Sequence, residues 1–192
     1  MADATPKRCA WAQGDPLLQT YHDAEWGVPL RDDRRLFEFL ALDGFQAGLS
    51  WWIVLRKREA FRRAFADFQL ETVADFGPAE VERLSGDPAL IRNRAKIRAT
   101  VDNARAVLAI REEIGSFSDY LWGFTDGRTI RNAWRVPEEV PPTSPESEAM
   151  SRDMKARGFK FVGPTICYAV MQSAGMVNDH LVDCFRYEAV GL

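Results

Sequence analysis

Apolar residues in this chain recur at the three- and four-residue spacing of an α-helix. The longest predicted helix runs from Asn93 to about Ile114, with an apolar stripe that includes Ile97, Val101 and Ala104. No segment shows a convincing period-two alternation of apolar and polar residues, which would mark a half-buried strand. The spacing therefore predicts an all-α fold, with the whole chain, 1–192, forming a single domain.

Composition narrows the classes of protein to which the chain can belong. Apolar residues make up 46% and charged residues 28%, so a large core and a polar surface are both available. No apolar run approaches the roughly 18 residues of a membrane span. Residues 1–8 lack the apolar stretch of a signal peptide and are expected to form a flexible tail. Three cysteines without a secretory signal indicate the reducing cytoplasm, and we expect a monomer there.

The stretch from Leu42 to Trp52 joins two helical segments and permits two interpretations. Asp43 lies on the apolar side of the first segment, because Leu36 and Phe39 are its neighbours at helical spacing. Two glycines and two adjacent tryptophans follow. A carboxylate beside aromatic walls would suit a pocket for a flat polar ring. The alternative is a helix end, a cap and two core tryptophans, which the spacing alone favours.

A pocket of this kind would suit a nucleic-acid base. Tyr21 and Trp51 could sandwich the base while Asp43 accepts hydrogen bonds from its amino edge. An enzyme that acts on a base in duplex DNA must first extrude it from the stack. Leu49, which is apolar and follows the flexible Gly48, could fill the gap that the base leaves.

The two histidines and two of the cysteines could form a zinc site. His180 stands four residues before Cys184, a spacing that puts both side chains on one face of a helix. Cys9 and His22, both near the N-terminus, are the natural candidates for the other two ligands. Such a site would be closed and structural, tying the N- and C-terminal segments together. Spacing alone still favours ordinary buried histidines and thiols, and Cys167 is expected to be a core thiol.

The segment 158–165 predicts a tight hairpin between two helices. Exposed backbone N–H groups around Gly163, with the N-terminal end of the next helix at Thr165, could hold one DNA phosphate. Lys160 would add positive charge. The alternative is an ordinary helical hairpin. The net charge of -3 argues against a non-specific nucleic-acid coat but allows a local basic face, and basic residues crowd the start of the longest helix.

Six blocks of sequence carry a resemblance to a known family. They resemble the bacterial 3-methyladenine DNA glycosylase I family, within the helix-hairpin-helix glycosylase superfamily. The blocks are Arg8–Trp11, Asp15–Leu17, Tyr21–Pro29, Leu42–Trp51, Gly158–Thr165 and Val177–His180.

The resemblance implies a fold, a reaction and a set of site residues. The family excises N3-methyladenine from alkylated double-stranded DNA by hydrolysing the bond between base and sugar. Its structural zinc implies ligands at Cys9, His22, His180 and Cys184. Its base pocket implies roles for Tyr21, Asp43 and Trp51, with Asp43 as the catalytic carboxylate. Leu49 matches the wedge position.

The chain also departs from the family pattern at three positions. Asp43 stands where well-known members have glutamate, Leu18 replaces a second pocket tyrosine of some members, and Phe45 replaces a polar residue. These changes leave open a broader range of alkylated purines. A zinc-stapled helix-hairpin-helix protein that binds DNA without catalysis is the other alternative.

The residues around the hairpin predict how the bond would be cut. Many enzymes of the superfamily use an aspartate after the hairpin's second helix, but the corresponding residue here is Asn178. The adjacent Asp179 is expected to orient His180. No lysine follows the hairpin to attack the sugar as an amine. We therefore expect a monofunctional hydrolase that leaves an abasic site.

Overall fold

The fold is predominantly helical, as the apolar spacing predicts. The computed structural model describes residues 6–190. The helices are α1 (Pro16–Ala24), α2 (Asp33–Gln46), α3 (Trp51–Ala64), α4 (Leu70–Ala74), α5 (Pro78–Gly86), α6 (Arg94–Ile114), α7 (Phe117–Trp122), α8 (Pro145–Ala156) and α9 (Pro164–Ser173). Short 3-10 turns cover Ala10–Ala12, Ala66–Phe68, Gly123–Thr125 and Pro137–Glu139.

Several helices begin where the sequence places a capping residue. The Asp15 carboxylate accepts from the backbone N–H of Leu17 at 2.8 Å, and Pro16 fills the first helical position. Asp32 caps α2 and Asn93 caps α6 in the same way. These short polar side chains satisfy N–H groups that a helix cannot bond internally, and the predicted start of the longest helix at Asn93 is confirmed.

Helix α2 is the central element of the core. Every residue from 36 to 45 is buried, including the carboxyl groups of Glu38 and Asp43. Helices α3, α6, α7 and α9 pack around it. A helix surrounded in this way carries any polar side chain into the interior of the protein. Asp43 is therefore held inside the fold by its position in α2.

A short parallel pair of β-strands is absent from the sequence prediction. Strand β1 (Ile130–Arg131) pairs in parallel with strand β2 (Val177–Asn178). Each strand has only two residues, too few to show an alternating pattern. The pair places the segment after β2 beside the loop that contains Trp134, whose carbonyl accepts from the N–H of Val182 at 2.9 Å.

The structure corrects three local predictions. Gly44 does not end a helix, because α2 continues through it to Gln46. His180 and Cys184 lie in successive turns rather than in a helix, since their backbone bonds are those of tight turns. Lys7 and Arg8 are not part of a free tail: the Lys7 carbonyl accepts from Phe185 N–H at 2.9 Å. Residues 1–5 of the predicted tail lie outside the described residues.

Among the described residues, no helix combines the length and the apolar character needed to cross a bilayer. The longest helix, α6, has 21 residues but carries both apolar and charged faces.

Gly175 provides a test of how tightly α9 packs against the segment before α2. Its φ is +69°, and a Cβ at this position would lie 2.5 Å from the backbone of Val28 and Pro29. We expect Gly175→Ala to lower the free energy of unfolding by about 3 kcal/mol, from backbone strain plus overpacking. Gly158 also has a positive φ, but the space beside it is open. Gly158→Ala should therefore cost only about 1 kcal/mol, and equal losses in urea unfolding would contradict the predicted clash.

Candidate active site and metal centre

The four predicted metal ligands converge although they come from opposite ends of the chain. The ligand atoms of Cys9, His22, His180 and Cys184 all lie within 4.8 Å of one another, and all four residues are buried. The Cys9 Sγ is 3.7 Å from His180 Nδ1, and the Cys184 Sγ is 3.6 Å from the same nitrogen. The Cys184 Sγ is 3.4 Å from His22 Nε2.

Neighbouring groups orient both imidazole rings toward this cluster. His22 Nδ1 donates to the Asp23 carboxylate at 2.8 Å, which leaves Nε2 free to face the thiols. Arg8 holds that carboxylate with a bond of 2.7 Å. His180 Nε2 donates to the Trp26 carbonyl at 3.1 Å and turns Nδ1 toward the cluster.

The prediction that Asp179 orients His180 is wrong. Its two carboxylate oxygens accept from four other side chains, which are Asn132, Trp134, Tyr168 and Gln172. Asp179 therefore ties the loop around residues 132–134 to α9. Asn178 is equally structural: it is fully buried, and its amide donates to the Tyr187 carbonyl at 2.9 Å.

The donor set fits a tetrahedral zinc ion. Zinc–sulfur bonds of about 2.3 Å and zinc–nitrogen bonds of about 2.05 Å place ligand atoms roughly 3.6 Å apart in a tetrahedron. Three sulfur–nitrogen distances in the cluster, 3.4, 3.6 and 3.7 Å, agree with that spacing. Backbone N–H groups of Leu181 and Arg186 also donate to the two sulfurs, which favours thiolates.

Next to this cluster lies a cavity of about 400 Å³. Its walls come from the start of the chain, from α1, α2, α3 and α9, and from the loops at Pro137 and Asp179. The lining residues are Cys9, Ala10, Trp11, Tyr21, Trp26, Asp43, Gln46, Trp51, Pro137, Val140, Ala169, Gln172, Ser173, Asp179 and Leu181. The volume and the apolar lining suit a single flat ring system.

Asp43 is the buried carboxyl group in the wall formed by α2. It is 2% exposed, and its Oδ2 accepts from the Ser173 hydroxyl at 3.3 Å. The Tyr21 hydroxyl donates in turn to the Ser173 oxygen at 3.3 Å. Burial raises the pKa of Asp43 to about 8, although the Ser173 hydrogen bond opposes that shift. At neutral pH the protein without a bound base therefore holds Asp43 mostly protonated.

Aromatic rings surround the space in front of Asp43. The Tyr21 and Trp51 rings have centroids 5.2 Å apart at an interplanar angle of 49°, so they form a corner rather than two parallel plates. The centroid of the Trp11 ring lies 6.3 Å from that of Tyr21 and 5.1 Å from that of Trp26. The Trp51 indole N–H is buried with no acceptor among residues 6–190, which leaves a donor available in the wall.

Comparison with known proteins identifies the family. A sequence model described as methyladenine glycosylase matches residues 11–187. The chain belongs to this family. DNA-3-methyladenine glycosylase 1 of Escherichia coli strain K12 is 46% identical over 181 residues, covering 94% of this chain and 97% of that protein. The Haemophilus influenzae DNA-3-methyladenine glycosylase is 44% identical over 177 residues, covering 92% and 96%.

Solved structures of the family have the same fold. A crystal structure of 3-methyladenine DNA glycosylase I superposes with a TM-score of 0.91 at 47% identity, covering 93% of this chain and 98% of that one. A Staphylococcus aureus structure, described as the structural basis of 3-methyladenine recognition, gives a TM-score of 0.90 at 36% identity. It covers 95% of this chain and 97% of its own.

Two of the three departures from the family pattern lie outside the cavity. Phe45 is buried in the core, with its ring 4.5 Å from that of Phe61. Leu18 packs against the same core and is not among the cavity-lining residues that the structure describes. Of the three departures, only Asp43 is among the described residues that line the cavity.

The predicted DNA contacts lie on the surface. Leu49 is 38% exposed at the tip of the turn between α2 and α3, and Gly48 has a φ of +83° there. Lys160 and Thr165 are exposed, and Gly163 immediately precedes α9. The predicted hairpin and its two flanking helices are therefore present, and the DNA contacts of these residues stay predictions.

Several cavity residues are missing from the sequence prediction. Trp11, Ser173 and Gln172 line the cavity, and nothing in their spacing places them near Asp43. The available signal for Trp11 is its position two residues after the ligand candidate Cys9. Trp52, expected to be core, is 36% exposed and donates to Asp15 at 2.7 Å.

The raised pKa of Asp43 predicts how stability depends on pH. The usual value for the group is 3.8, so between pH 4 and 8 the folded protein keeps a proton that the unfolded chain has released. Stability is therefore lost as pH rises toward 8. An asparagine side chain cannot ionise, so its contribution does not change with pH. The free energy of unfolding of Asp43→Asn, relative to that of wild type, should therefore rise by about 2 kcal/mol from pH 6 to pH 8. Urea unfolding at both pH values checks this, and a constant difference would contradict it.

Proposed function

We propose that this protein removes N3-methyladenine from alkylated double-stranded DNA by hydrolysing the N-glycosidic bond. The observation that carries the proposal is the buried Asp43 carboxyl group in an aromatic-lined cavity of about 400 Å³. Relatives that share more than 90% of the chain's length are named as glycosylases for this base. The exposed Leu49 stands two residues before Trp51 of the cavity wall, within reach of a duplex.

The charge of the damaged base provides recognition. Methylation at N3 gives the nucleotide base a positive charge, whereas unmodified adenine is neutral. Because burial keeps Asp43 protonated in the free protein, a cation in the cavity favours loss of that proton and gains an ion pair. Neutral adenine offers no such gain. Tyr21 and Trp51 add aromatic faces that attract a cation.

The residues that line the cavity also bear on whether the DNA strand is cut after the base is released. A cationic base is already a good leaving group, so the protein must chiefly position it and exclude competing bases. The described lining of the cavity contains no lysine that could attack the sugar. We infer a monofunctional reaction in which water completes the hydrolysis and the strand stays intact.

The proposal extends to a structural zinc ion and to the mode of DNA binding. Cys9, His22, His180 and Cys184 would hold the metal, which supplies a rigid link between the two ends of the chain and no reaction step. Helices α8 and α9 with the turn at 157–163 form the proposed helix-hairpin-helix element. The N–H groups that begin α9 lack intrahelical partners and would bind a phosphate.

The first test is base release from methylated DNA. We expect the wild-type protein to release N3-methyladenine, and Asp43→Asn to slow release about 100-fold, which corresponds to about 2.7 kcal/mol. Binding to a duplex with an abasic-site analogue should change less than about threefold, because the charge lies in the cavity rather than on the phosphate track. Chromatography of the released bases and fluorescence anisotropy measure the two quantities.

Asp75→Asn removes an exposed carboxyl group at the end of α4 and serves as the control, with wild-type rates expected. Release of N3-methylguanine at a comparable rate would instead establish the broader substrate range. A covalent adduct trapped by borohydride would refute the monofunctional reaction. Equal inactivity of wild type and Asp43→Asn, with DNA binding intact in both, would favour a non-catalytic DNA-binding protein.

The metal proposal predicts one zinc ion per chain by elemental analysis. Cys184→Ser should lose the metal, because a serine hydroxyl is a poor zinc ligand at neutral pH. Cys167→Ser is the matched control: this thiol is buried in the core and its Sγ faces the Val162 carbonyl, so the metal content should not change. Absence of zinc from the wild-type protein would refute the proposal.

A further inference from the structure

Phe161, at the tip of the hairpin between α8 and α9, has an unfavourable conformation. Its φ is +54°, a left-handed value that a bulky side chain rarely adopts. The ring is also 41% exposed, whereas the neighbouring Phe159 and Val162 are almost completely buried. The hairpin therefore keeps a strained backbone and a partly exposed aromatic ring that does not belong to the buried core cluster.

Helix α6 holds this residue in place through two side chains. The Asn103 amide binds both backbone groups of Lys160, donating to its carbonyl at 3.0 Å and accepting from its N–H at 2.8 Å. The Lys96 ammonium lies 6.0 Å from the centre of the Phe161 ring. Phe161 also lies against Gly44 of α2, with 3.8 Å separating its Cβ from an ideal Cβ on that glycine.

Lys96 also fixes the turn that carries Leu49. Its ammonium donates to the carbonyls of Phe45 and Ala47 at 3.0 and 2.7 Å, at the end of α2. This side chain is 8% exposed, so it is an interior brace rather than a surface charge. One residue of α6 therefore contacts both the turn of Leu49 and the ring of Phe161.

Beside Phe161 lies an open groove of about 370 Å³. Its lining residues are Ala95, Arg98, Ala99, Asp102, Lys160 and Phe161. Asp102 is paired with Arg105 at 3.4 Å, so Arg98 and Lys160 determine the net charge of the groove. An aromatic wall, small alanine side chains and two cations match the apolar sugar face and the phosphate of one nucleotide.

We propose that Phe161 is a DNA contact, an aromatic platform for the strand beside the extruded nucleotide, with Arg98 and Lys160 holding the adjacent phosphate. The inference rests on the proposed function, because it assumes that Leu49 faces duplex DNA. In this arrangement the hairpin binds the strand by a packed ring as well as by backbone N–H groups. The strained conformation of Phe161 is then the consequence of presenting that ring to the strand.

Substitutions at Phe161 separate a DNA contact from a structural role. Asparagine tolerates a left-handed conformation, so Phe161→Asn should fold with an unchanged or higher melting temperature. We expect its affinity for a duplex with a tetrahydrofuran abasic site to fall about tenfold, a loss typical of aromatic stacking on nucleic acid. Phe161→Tyr keeps the ring and should bind nearly as well as wild type. Binding of free 3-methyladenine, followed by tryptophan fluorescence, should not change.

The control is Ile114→Asn, which removes another exposed apolar side chain and should leave duplex binding unchanged. Ile114 lies at the other end of α6, roughly 27 Å along the helix from Lys96. The inference is overturned if Phe161→Asn binds the duplex within twofold of wild type. It is also overturned if the variant loses melting temperature and base affinity together with duplex binding. A wild-type protein that binds the duplex but releases no base would refute the proposed function alone.

Discussion

The burial of Asp43 in α2 is the constraint on which the rest of the site depends. Ten consecutive residues of α2 are buried, so the helix can place a carboxyl group where water is excluded. That placement raises the pKa of Asp43, and the Ser173 hydroxyl only partly compensates. The fold thus tolerates an unfavourable interior group, as expected where a binding site is built at the expense of stability. A cation that fits the cavity would offset the free energy that burial adds to ionisation of Asp43.

The metal-ligand cluster and the cavity share one wall. Cys9 belongs to both. Trp11 and Trp26 line the cavity, and their ring centroids lie 5.4 and 6.2 Å from that of His22 in the cluster, with the Trp26 carbonyl also accepting from His180. The aromatic lining is therefore shaped by the same contacts that hold the chain ends together. The Arg8–Asp23–His22 series extends this support to α1, which carries Tyr21. The walls of the cavity and the junction of the two chain ends are parts of one structural region.

Much of the fold and part of the site can be predicted from sequence. The starts of α1, α2 and α6 follow from local capping chemistry, and the four ligand candidates follow from residue type. The spacing argument for His180 and Cys184 is wrong, because they lie in turns that only tertiary packing defines. Trp11, Ser173 and the real partners of Asp179 cannot be found from sequence, since each reaches its place through contacts between distant segments. Trp52 is not core because its ring binds a cap residue of another helix.

The separation of the ligands along the chain has a consequence for biosynthesis. Cys9 and His180, which face each other across the cluster, are 171 residues apart in sequence. Because a ribosome produces the chain from the N-terminus, Cys9 cannot meet His180 until α1 to α9 have all been synthesised. Fragments released before residue 180 therefore lack a completed pocket.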